Sequence, residues 1–214
     1  MRRCKALLNL GILISGRGSN MEAILKALRG NRIPARCSIV ISNRRDAPGL
    51  DIAAKMGVKT RVIESKGFAS GRWEYDGMVA DELMRSGVTP ENGLVCLAGF
   101  MRVVSPQFVT TYQNKILNIH PALLPAFPGL HAQRQAIEYG VKYSGCTVHI
   151  VDAGVDTGPI LLQDVVPVHE SDTAESLAAR ILEREHLLYP RAIDLFARGK
   201  IDIRDRRVLV RRDT

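Results

Sequence analysis

The sequence predicts an α/β fold with an open, mostly parallel sheet and helices on both of its faces. Two observations lead to this class. Short apolar runs alternate with longer segments of helical periodicity through the first hundred residues, and nearly continuous apolar runs are typical of parallel strands covered on both faces. At 214 residues the chain is also long enough to bury one substantial core without a metal or a disulfide.

The first half of the chain supplies the alternating elements. Strands are predicted at residues 6–14, 37–42, 60–63 and 94–98, and helices at 20–28, 48–56 and 73–86. Ser19 and Glu22 have capping-box spacing for the first of these helices. Gly57 and Gly87 stand where the second and third helices are expected to end. Strand–helix alternation of this kind builds a parallel sheet.

The second half departs from that alternation. A short strand at 115–119 is cut off by Pro121, and two strands at 145–151 and 159–166 are close enough to pair antiparallel. A long helix is expected at 172–197, opened by Asp172 with Glu175. Residues 1–199 are therefore predicted to form a single domain, and the basic residues 200–214 an edge hairpin or a surface tail.

Composition excludes several classes of protein. The chain is 46% hydrophobic and 24% charged, which is ordinary for a globular protein and unlike a disordered chain or a coiled coil. No apolar run approaches the roughly 20 residues of a membrane span. The basic start and apolar run at 1–14 lack a signal-peptide cleavage site and favour a buried strand. Four widely spaced cysteines indicate reduced thiols in a cytoplasmic protein.

Charge is distributed unevenly along the chain. Residues 1–75 hold 15 basic and 5 acidic residues, residues 76–197 hold 8 and 14, and residues 198–214 hold 7 and 3. The first third, at +10, is therefore where an anionic ligand would be attracted. A nucleic-acid-binding module is the alternative, but aromatic residues make up only 5% and do not alternate with Lys or Arg.

The first candidate site lies between the first strand and the first helix, at residues 15–20 (Ser-Gly-Arg-Gly-Ser-Asn). Glycines there allow close approach of a ligand to the main chain, and the helix N-terminus offers free N–H groups to an anion. A third glycine is missing at Met21, and the second strand ends in Asn43-Arg44-Arg45 rather than an acidic residue, which argues against NAD. A phosphate monoester fits best; a tight turn or an NADP site are the alternatives.

The second candidate site is the end of the strand before Pro121. Asn118 and His120 are two residues apart and point to one face of the sheet, at the carboxyl end where open α/β sheets bind ligands. An amide donor beside a histidine suits a developing oxyanion. Asp156, in the glycine-rich loop 152–159, is the candidate partner that keeps this histidine charged and oriented. A plain turn is the alternative for that loop, whose acidic spacing does not fit an EF-hand metal site.

Four motifs in a fixed order give the chain a family resemblance. They are residues 15–20, residues 97–102 (Leu-Ala-Gly-Phe-Met-Arg), residues 118–125 (Asn-Ile-His-Pro-Ala-Leu-Leu-Pro) and residues 156–159 (Asp-Thr-Gly-Pro). Together they resemble the phosphoribosylglycinamide formyltransferase family, folate-dependent enzymes of purine biosynthesis with a Rossmann-like formyltransferase fold. The resemblance covers about residues 7–197. The last two motifs also belong to the wider formyltransferase superfamily.

The resemblance implies a reaction and a set of site residues. A formyl group would pass from 10-formyltetrahydrofolate, a co-substrate, to the amine of glycinamide ribonucleotide, with residues 1–100 binding the ribonucleotide and residues 101–199 carrying the folate and catalytic parts. No metal, nucleic acid or membrane would take part, and the protein would be a monomer or a weak homodimer. The implied residues are Asn118, His120 and Asp156 in catalysis, Gly18, Ser19, Asn20 and Glu185 at the phosphate and ribose, and Arg72, Met101, Arg102, Val104, Asp152 and Asp156 at the folate. Leu182 departs from the family, standing where relatives carry a polar or basic residue.

Elementary chemistry agrees with the implied reaction. Attack of an amine on a formyl carbon creates a tetrahedral oxyanion, to which Asn118 and His120 would donate. Methionyl-tRNA formyltransferase and formyltetrahydrofolate hydrolase share this catalytic group and are alternatives. The first usually carries a C-terminal RNA-binding domain, for which residues 200–214 leave no room, and the second usually carries an N-terminal regulatory domain, which is not expected here. An NADP-dependent oxidoreductase is a further alternative.

Overall fold

The computed structural model describes residues 7–30 and 33–211, and it confirms the α/β class. The strands in chain order are β1 (Leu8–Ile14), β2 (Ala35–Ser42), β3 (Thr60–Val62), β4 (Gly93–Leu97), β5 (Ile116–His120), β6 (Tyr143–Ile150), β7 (Ile160–Pro167), β8 (Ile201–Arg204) and β9 (Arg207–Val210). The helices are α1 (Ser19–Arg29), α2 (Gly49–Lys55), α3 (Trp73–Arg85), α4 (Pro106–Thr111), α5 (Ala132–Tyr139) and α6 (Ala174–Ala197).

All of these strands join one mixed sheet in the order β3-β2-β1-β4-β5-β6-β7-β9-β8. The first five strands of that order are parallel, and β6 and β7 then pair antiparallel, as the sequence predicted. The strand order reverses direction at β1, from which the chain first builds outward to β3 and then returns to add β4 on the other side. Ligands of open α/β sheets bind at such a switch point, beyond the carboxyl ends of the strands.

The sheet is covered on both faces, and alternate residues of β1 show it. Leu10 and Ile12 belong to a core formed with α1 and α6, whereas Leu13 belongs to a second core formed with α3 and α4. Gly11 lets α3 approach closely, because a Cβ there would lie 2.2 Å from the Leu83 side chain. The central strand β4 is accordingly apolar and buried along its whole length, because both faces of the sheet are covered there.

Two predicted helix starts are wrong. Helix α1 has Gly18 as its N-cap, in the left-handed conformation and without a side-chain cap, so Ser19 is the first helical residue and forms no capping box with Glu22. Helix α6 begins at Ala174, where Thr173 and Ser176 form the capping box. Asp172 instead accepts hydrogen bonds from Ser176 and Arg180. Thr173 therefore caps the first N–H groups of α6, whereas no side chain caps those of α1.

The structure adds two short helices to the predicted elements and forms a hairpin at the C-terminal end of the described residues. Helices α4 and α5 are too short to stand out by periodicity and were not predicted. The predicted edge hairpin is confirmed as β8 and β9.

The thiols of Cys37, Cys96 and Cys146 are free, and burial raises the pKa of Cys37 to about 12. Cys4 lies outside the described residues. No helix in the described ranges has the length and apolar character to cross a membrane.

Candidate active site

Strand β5 presents the first two candidate catalytic residues. His120 is the last residue of the strand and Asn118 lies two positions earlier, so both side chains point to the same face at its carboxyl end. His120 is only 4% exposed. The strand ends there because Pro121 follows and cannot donate a ladder hydrogen bond. The expected placement of this pair at the ligand-binding end of the sheet is therefore found.

The loop between β6 and β7 brings Asp156 to that pair. Asp156 adopts a left-handed conformation, with φ of 54°. Gly158 lets the loop turn tightly against β6, because a Cβ at that position would lie 1.8 Å from the Ile150 carbonyl oxygen. Asp152 closes the other side of the loop by accepting hydrogen bonds from the Gly154 N–H and the Thr157 hydroxyl. The glycine is therefore a requirement for placing Asp156.

Asp156 is the centre of the polar cluster. Its Oδ2 lies 3.2 Å from Nδ1 of His120 and accepts a hydrogen bond of 2.9 Å from the Gly129 N–H. Its Oδ1 accepts a hydrogen bond of 3.3 Å from the amide nitrogen of Asn118. The carboxylate of Asp156 thus contacts both of the other residues that the sequence singled out for catalysis.

His149 is a member of this cluster that sequence reasoning missed. It is 2% exposed and lies directly across from Asn118 in the antiparallel β5–β6 pair. Its Nδ1 lies 3.1 Å from the Ile150 carbonyl oxygen, and its Nε2 lies 3.1 Å from the amide nitrogen of Asn118. The same Nε2 lies 3.5 Å from Oδ1 of Asp156, so this ring faces both the amide of Asn118 and the carboxylate. Only the strand register, which the sequence does not specify, could have identified it.

The two central groups differ in how their pKa values are displaced. Burial alone would raise the pKa of Asp156, but contacts from His149, the Gly129 N–H and His120 outweigh it, so that the pKa lies below its usual value. Burial lowers the pKa of His120, and the charge of Asp156 only partly opposes that decrease. Asp156 is therefore a carboxylate at neutral pH, whereas His120 is less readily protonated than the sequence analysis expected.

The ring of His120 has an acceptor on each side. Its Nδ1 faces the carboxylate of Asp156, and its Nε2 lies 2.8 Å from the main-chain carbonyl oxygen of Phe127. A neutral imidazole carries one N–H and can satisfy only one of these acceptors. Asn118 is similar, because Asp156 and His149 both face its amide nitrogen. The donors of the cluster are therefore already engaged by the protein.

The predicted phosphate loop forms the wall of a neighbouring cavity. A cavity of about 240 Å³ lies between residues 15–20 and residues 98–101. Gly18 is left-handed, with φ of 73°, and a Cβ on it would lie 3.0 Å from the Cα of Gly49, so only glycine fits. Behind it, the first N–H groups of α1 have no partner within the helix. This geometry suits an anion, as the sequence predicted.

Glu185 reaches the same region from α6. It is 6% exposed, and its Oε2 accepts a hydrogen bond of 2.7 Å from the side-chain amide of Asn20. Burial raises the pKa of Glu185, and the Asn20 contact only partly opposes this. The amide oxygen of Asn20 is buried and has no hydrogen-bond partner among the described residues. The pair therefore keeps polar capacity for a ligand that offers hydroxyl groups.

The candidate folate residues are more scattered. Met101 is 65% exposed at the cavity mouth, whereas Val104 is buried in the second core. The guanidinium of Arg102 turns away from the cavity and donates to the carbonyl oxygens of residues 68 and 69. Arg72 is exposed at the N-terminus of α3. Side chains of Arg102 and Val104 are thus not turned toward a ligand, and only their main chain remains available.

Comparison with known proteins gives consistent matches. A family model described as formyl transferase matches residues 8–193. The chain is 41% identical over 198 residues to the phosphoribosylglycinamide formyltransferase of Escherichia coli, covering 92% of this chain and 91% of that protein. A crystal structure of glycinamide ribonucleotide transformylase 1 from Symbiobacterium toebii is 50% identical, with a TM-score of 0.93 over 99% of this chain and 98% of the other.

A longer class of relative also matches. The chain is 43% identical over 200 residues to the trifunctional purine biosynthetic protein adenosine-3 of Chironomus tentans. That match covers 92% of this chain but only 14% of the relative, so the chain spans about one seventh of that protein's length. The family model spans both the cluster around Asp156 and the loop at residues 15–20.

Proposed function

The chain belongs to the formyl transferase family, and from that premise we propose that it transfers the formyl group of 10-formyltetrahydrofolate to the amine of glycinamide ribonucleotide. One observation carries the proposal: the contact of Asp156 with both His120 and Asn118, beside a cavity that suits a phosphate. The products would be the N-formyl ribonucleotide and tetrahydrofolate, as in purine biosynthesis.

The ribonucleotide would bind in the cavity at residues 15–20. Its phosphate accepts hydrogen bonds from the main chain of Gly18, Ser19 and Asn20 at the N-terminus of α1, where the helix dipole favours negative charge. Glu185 and the unpaired amide oxygen of Asn20 lie behind that turn and would receive the ribose hydroxyl groups. The excess of basic residues in the first third attracts the substrate to this end.

The formyl donor would lie along residues 101–104, between the ribonucleotide cavity and the 152–158 loop. The main-chain N–H groups of Arg102 and Val104 are available as donors to its heterocycle, and Met101 offers apolar contact. Asp152 holds the opposite loop closed, and Arg72 at the start of α3 provides a positive charge for the carboxylate end of the donor. This arrangement would place the formyl carbon near Asn118 and His120.

The chemical step is a direct attack of the amine nitrogen on the formyl carbon, which places the carbonyl electron pair on oxygen. Asn118 and His120 donate to that oxygen, and losing one such donor typically lowers the rate by about 10²–10³-fold. The formyl oxygen therefore takes the place of the Phe127 carbonyl as the acceptor at Nε2 of His120. It also accepts a hydrogen bond from one N–H of the Asn118 amide, in place of one of that amide's present partners. Hydrogen bonds of a resting site often rearrange in this way when substrate binds.

Asp156 transfers the proton of the attacking amine to the leaving folate nitrogen. Its low pKa leaves it ionised at neutral pH, so it can accept the proton that the attacking amine loses, through a water, and return it to the folate nitrogen as the C–N bond breaks. The charge of Asp156 also favours the imidazolium form of His120, which takes its second proton from solvent before the amine attacks, so that its Nε2–H can donate to the oxyanion. No covalent enzyme intermediate is needed, because the substrate amine attacks the formyl carbon directly and the folate nitrogen leaves.

The proposal is tested by mixing the purified protein with glycinamide ribonucleotide and 10-formyltetrahydrofolate and following the formylated product by mass spectrometry. Controls omit the ribonucleotide or the enzyme. Product that requires all three components supports the proposal. Formate released without the ribonucleotide would instead support a hydrolase, and donor binding with no product would exclude this acceptor.

Three further properties belong to the proposal. We expect a cytoplasmic protein that is a monomer or a weak homodimer, built as one domain over residues 1–199. Sedimentation velocity across a range of protein concentrations tests the oligomeric state. A stable species larger than a dimer would contradict it.

A further inference from the structure

The segment of residues 101–105 is anchored at every second residue. Its three alternate N–H groups each donate to a side-chain oxygen from a different part of the fold. The bonds run from Met101 to Ser15 Oγ (2.8 Å), from Val103 to Ser70 Oγ (2.8 Å) and from Ser105 to Asp76 Oδ2 (2.5 Å). These anchors come from the end of β1, from the loop before α3 and from α3 itself.

The intervening N–H groups are left unpaired. Over the ranges 7–30 and 33–211, the main-chain N–H groups of Arg102 and Val104 have no hydrogen-bond partner. Bound and unbound donors thus alternate through the segment. The anchors therefore determine which N–H groups remain available to a ligand. If the segment shifted by one residue against its anchors, the N–H groups that are now paired would become free and the free ones would become paired.

A second set of contacts holds the loop before α3 against this segment. The Val103 carbonyl oxygen accepts from the Gly71 N–H at 2.8 Å and from the Ser70 hydroxyl at 3.3 Å. The Arg102 guanidinium donates to the carbonyl oxygens of residues 68 and 69 and lies 4.4 Å from the centre of the Tyr75 ring. Ser70 therefore contacts both main-chain groups of Val103, as a neighbouring strand would.

We propose that Ser15, Ser70 and Asp76 are positioning residues for the formyl donor. They hold residues 101–105 so that the N–H groups of Arg102 and Val104 face the folate, although none of the three belongs to the reacting group. This rests on the proposed function, in which residues 101–104 border the folate. Ser70 is the most informative of the three because it is exposed and, within the described part of the chain, its hydroxyl forms hydrogen bonds only with the main chain of Val103.

The test compares the wild type with Ser70→Ala, Ser70→Thr and a control, Ser171→Ala, at an exposed serine in the turn before α6. Steady-state kinetics give kcat and the KM of each substrate, calorimetric titration gives the Kd of tetrahydrofolate, and thermal unfolding gives Tm. We expect Ser70→Ala to raise the folate KM and the tetrahydrofolate Kd by about 2–10-fold, the range for one lost hydrogen bond. The ribonucleotide KM and kcat should stay within about twofold, and threonine should restore folate affinity since it keeps the hydroxyl.

Arg102→Lys provides a second, independent variant. It removes the paired contacts to residues 68 and 69 and is expected to raise the same folate constants. A lower Tm with unchanged folate constants in both variants would overturn the positioning role and leave a structural one. If the wild type binds tetrahydrofolate and forms no product, the proposed function alone fails. If the wild type does not bind tetrahydrofolate, both proposals fail.

Discussion

Residues 15–20, the proposed phosphate loop, and the polar cluster around Asp156 both lie at the carboxyl end of the sheet. They differ in whether their polar groups already have hydrogen-bond partners within the protein. At the phosphate loop, the first N–H groups of α1 have no helical partner and the Asn20 amide oxygen is unpaired. At the cluster, His120 is held by Asp156 and the Phe127 carbonyl, and Asn118 by Asp156 and His149. One region is ready for a ligand, whereas the other is closed upon itself.

This difference assigns the two regions to different steps: the loop at residues 15–20 to substrate binding and the cluster around Asp156 to the chemical step. In the proposed reaction, the ribonucleotide would bind at the N-terminus of α1 without displacing a hydrogen bond of the helix. In the proposed mechanism, the formyl oxygen would have to replace the Phe127 carbonyl before His120 could donate to it. Substitutions in the cluster should therefore change kcat, and substitutions at the phosphate loop should change KM.

The largest effect is expected for Asp156→Asn. An amide cannot accept the proton of the attacking amine, so kcat should fall by about 10²–10⁴-fold. The ribonucleotide KM should stay within a few fold, because Asp156 is not among the residues that line the cavity at residues 15–20. Steady-state kinetics measure this, with Asp51→Asn on the exposed side of α2 as the control. Turnover near that of the wild type would remove Asp156 from the mechanism.

Gly158→Ala should follow. A methyl group 1.8 Å from the Ile150 carbonyl oxygen forces the 152–158 loop away from β6, and Asp156 moves with it. A displacement of about 1 Å can cost roughly 10²-fold in rate, so we expect a loss of that order in kcat together with a lower Tm. A variant with normal kcat would show that the position of Asp156 tolerates movement.

Glu185→Gln tests the phosphate side of the comparison. Loss of one carboxyl oxygen as an acceptor for a ribose hydroxyl should raise the ribonucleotide KM by about 10–100-fold and leave the folate KM and kcat unchanged. Because burial raises the pKa of Glu185, its contribution to folding is present below its unfolded pKa and is lost as the pH rises through the folded value. The variant should therefore be no less stable than the wild type at pH about 8. An equal rise in both KM values would contradict the assignment to the ribose.

The smallest effect is a shift in the titration of His120. Burial places the pKa of His120 below the ordinary value of 6.5, and the charge of Asp156 opposes that decrease. Histidine NMR should give a value below 6.5 in the wild type and a lower one in Asp156→Asn. A higher value in the variant would mean that Asp156 does not act on this ring.

The sequence identified only those cluster residues that a local sequence pattern marks, such as the spacing of two residues along one strand. Asn118 and His120 could be placed together because side chains two residues apart on a strand share a face and Pro121 ends that strand. Asp156 followed from the need of His120 for a carboxylate partner. The family resemblance is confirmed by the match over residues 8–193. The individual roles of the site residues stay predictions.

The features that the sequence could not supply depend on register and on main-chain contacts. His149 lies in a buried apolar run with no local mark of function, and it faces Asn118 only through the β5–β6 pairing. The Phe127 carbonyl and the Gly129 N–H reach the cluster from a loop whose path no periodicity describes. Arg102 was expected at the folate, and its side chain instead turns to the loop before α3.

The most direct test of the account follows a ¹³C-labelled formyl group through a single turnover. Enzyme in excess is mixed with labelled 10-formyltetrahydrofolate and glycinamide ribonucleotide, quenched, and examined by mass spectrometry. The account predicts that the label passes to the ribonucleotide amine in the wild type and stays on the folate in Asp156→Asn. Label recovered as formate, or transferred equally well by the variant, would contradict direct transfer at this cluster.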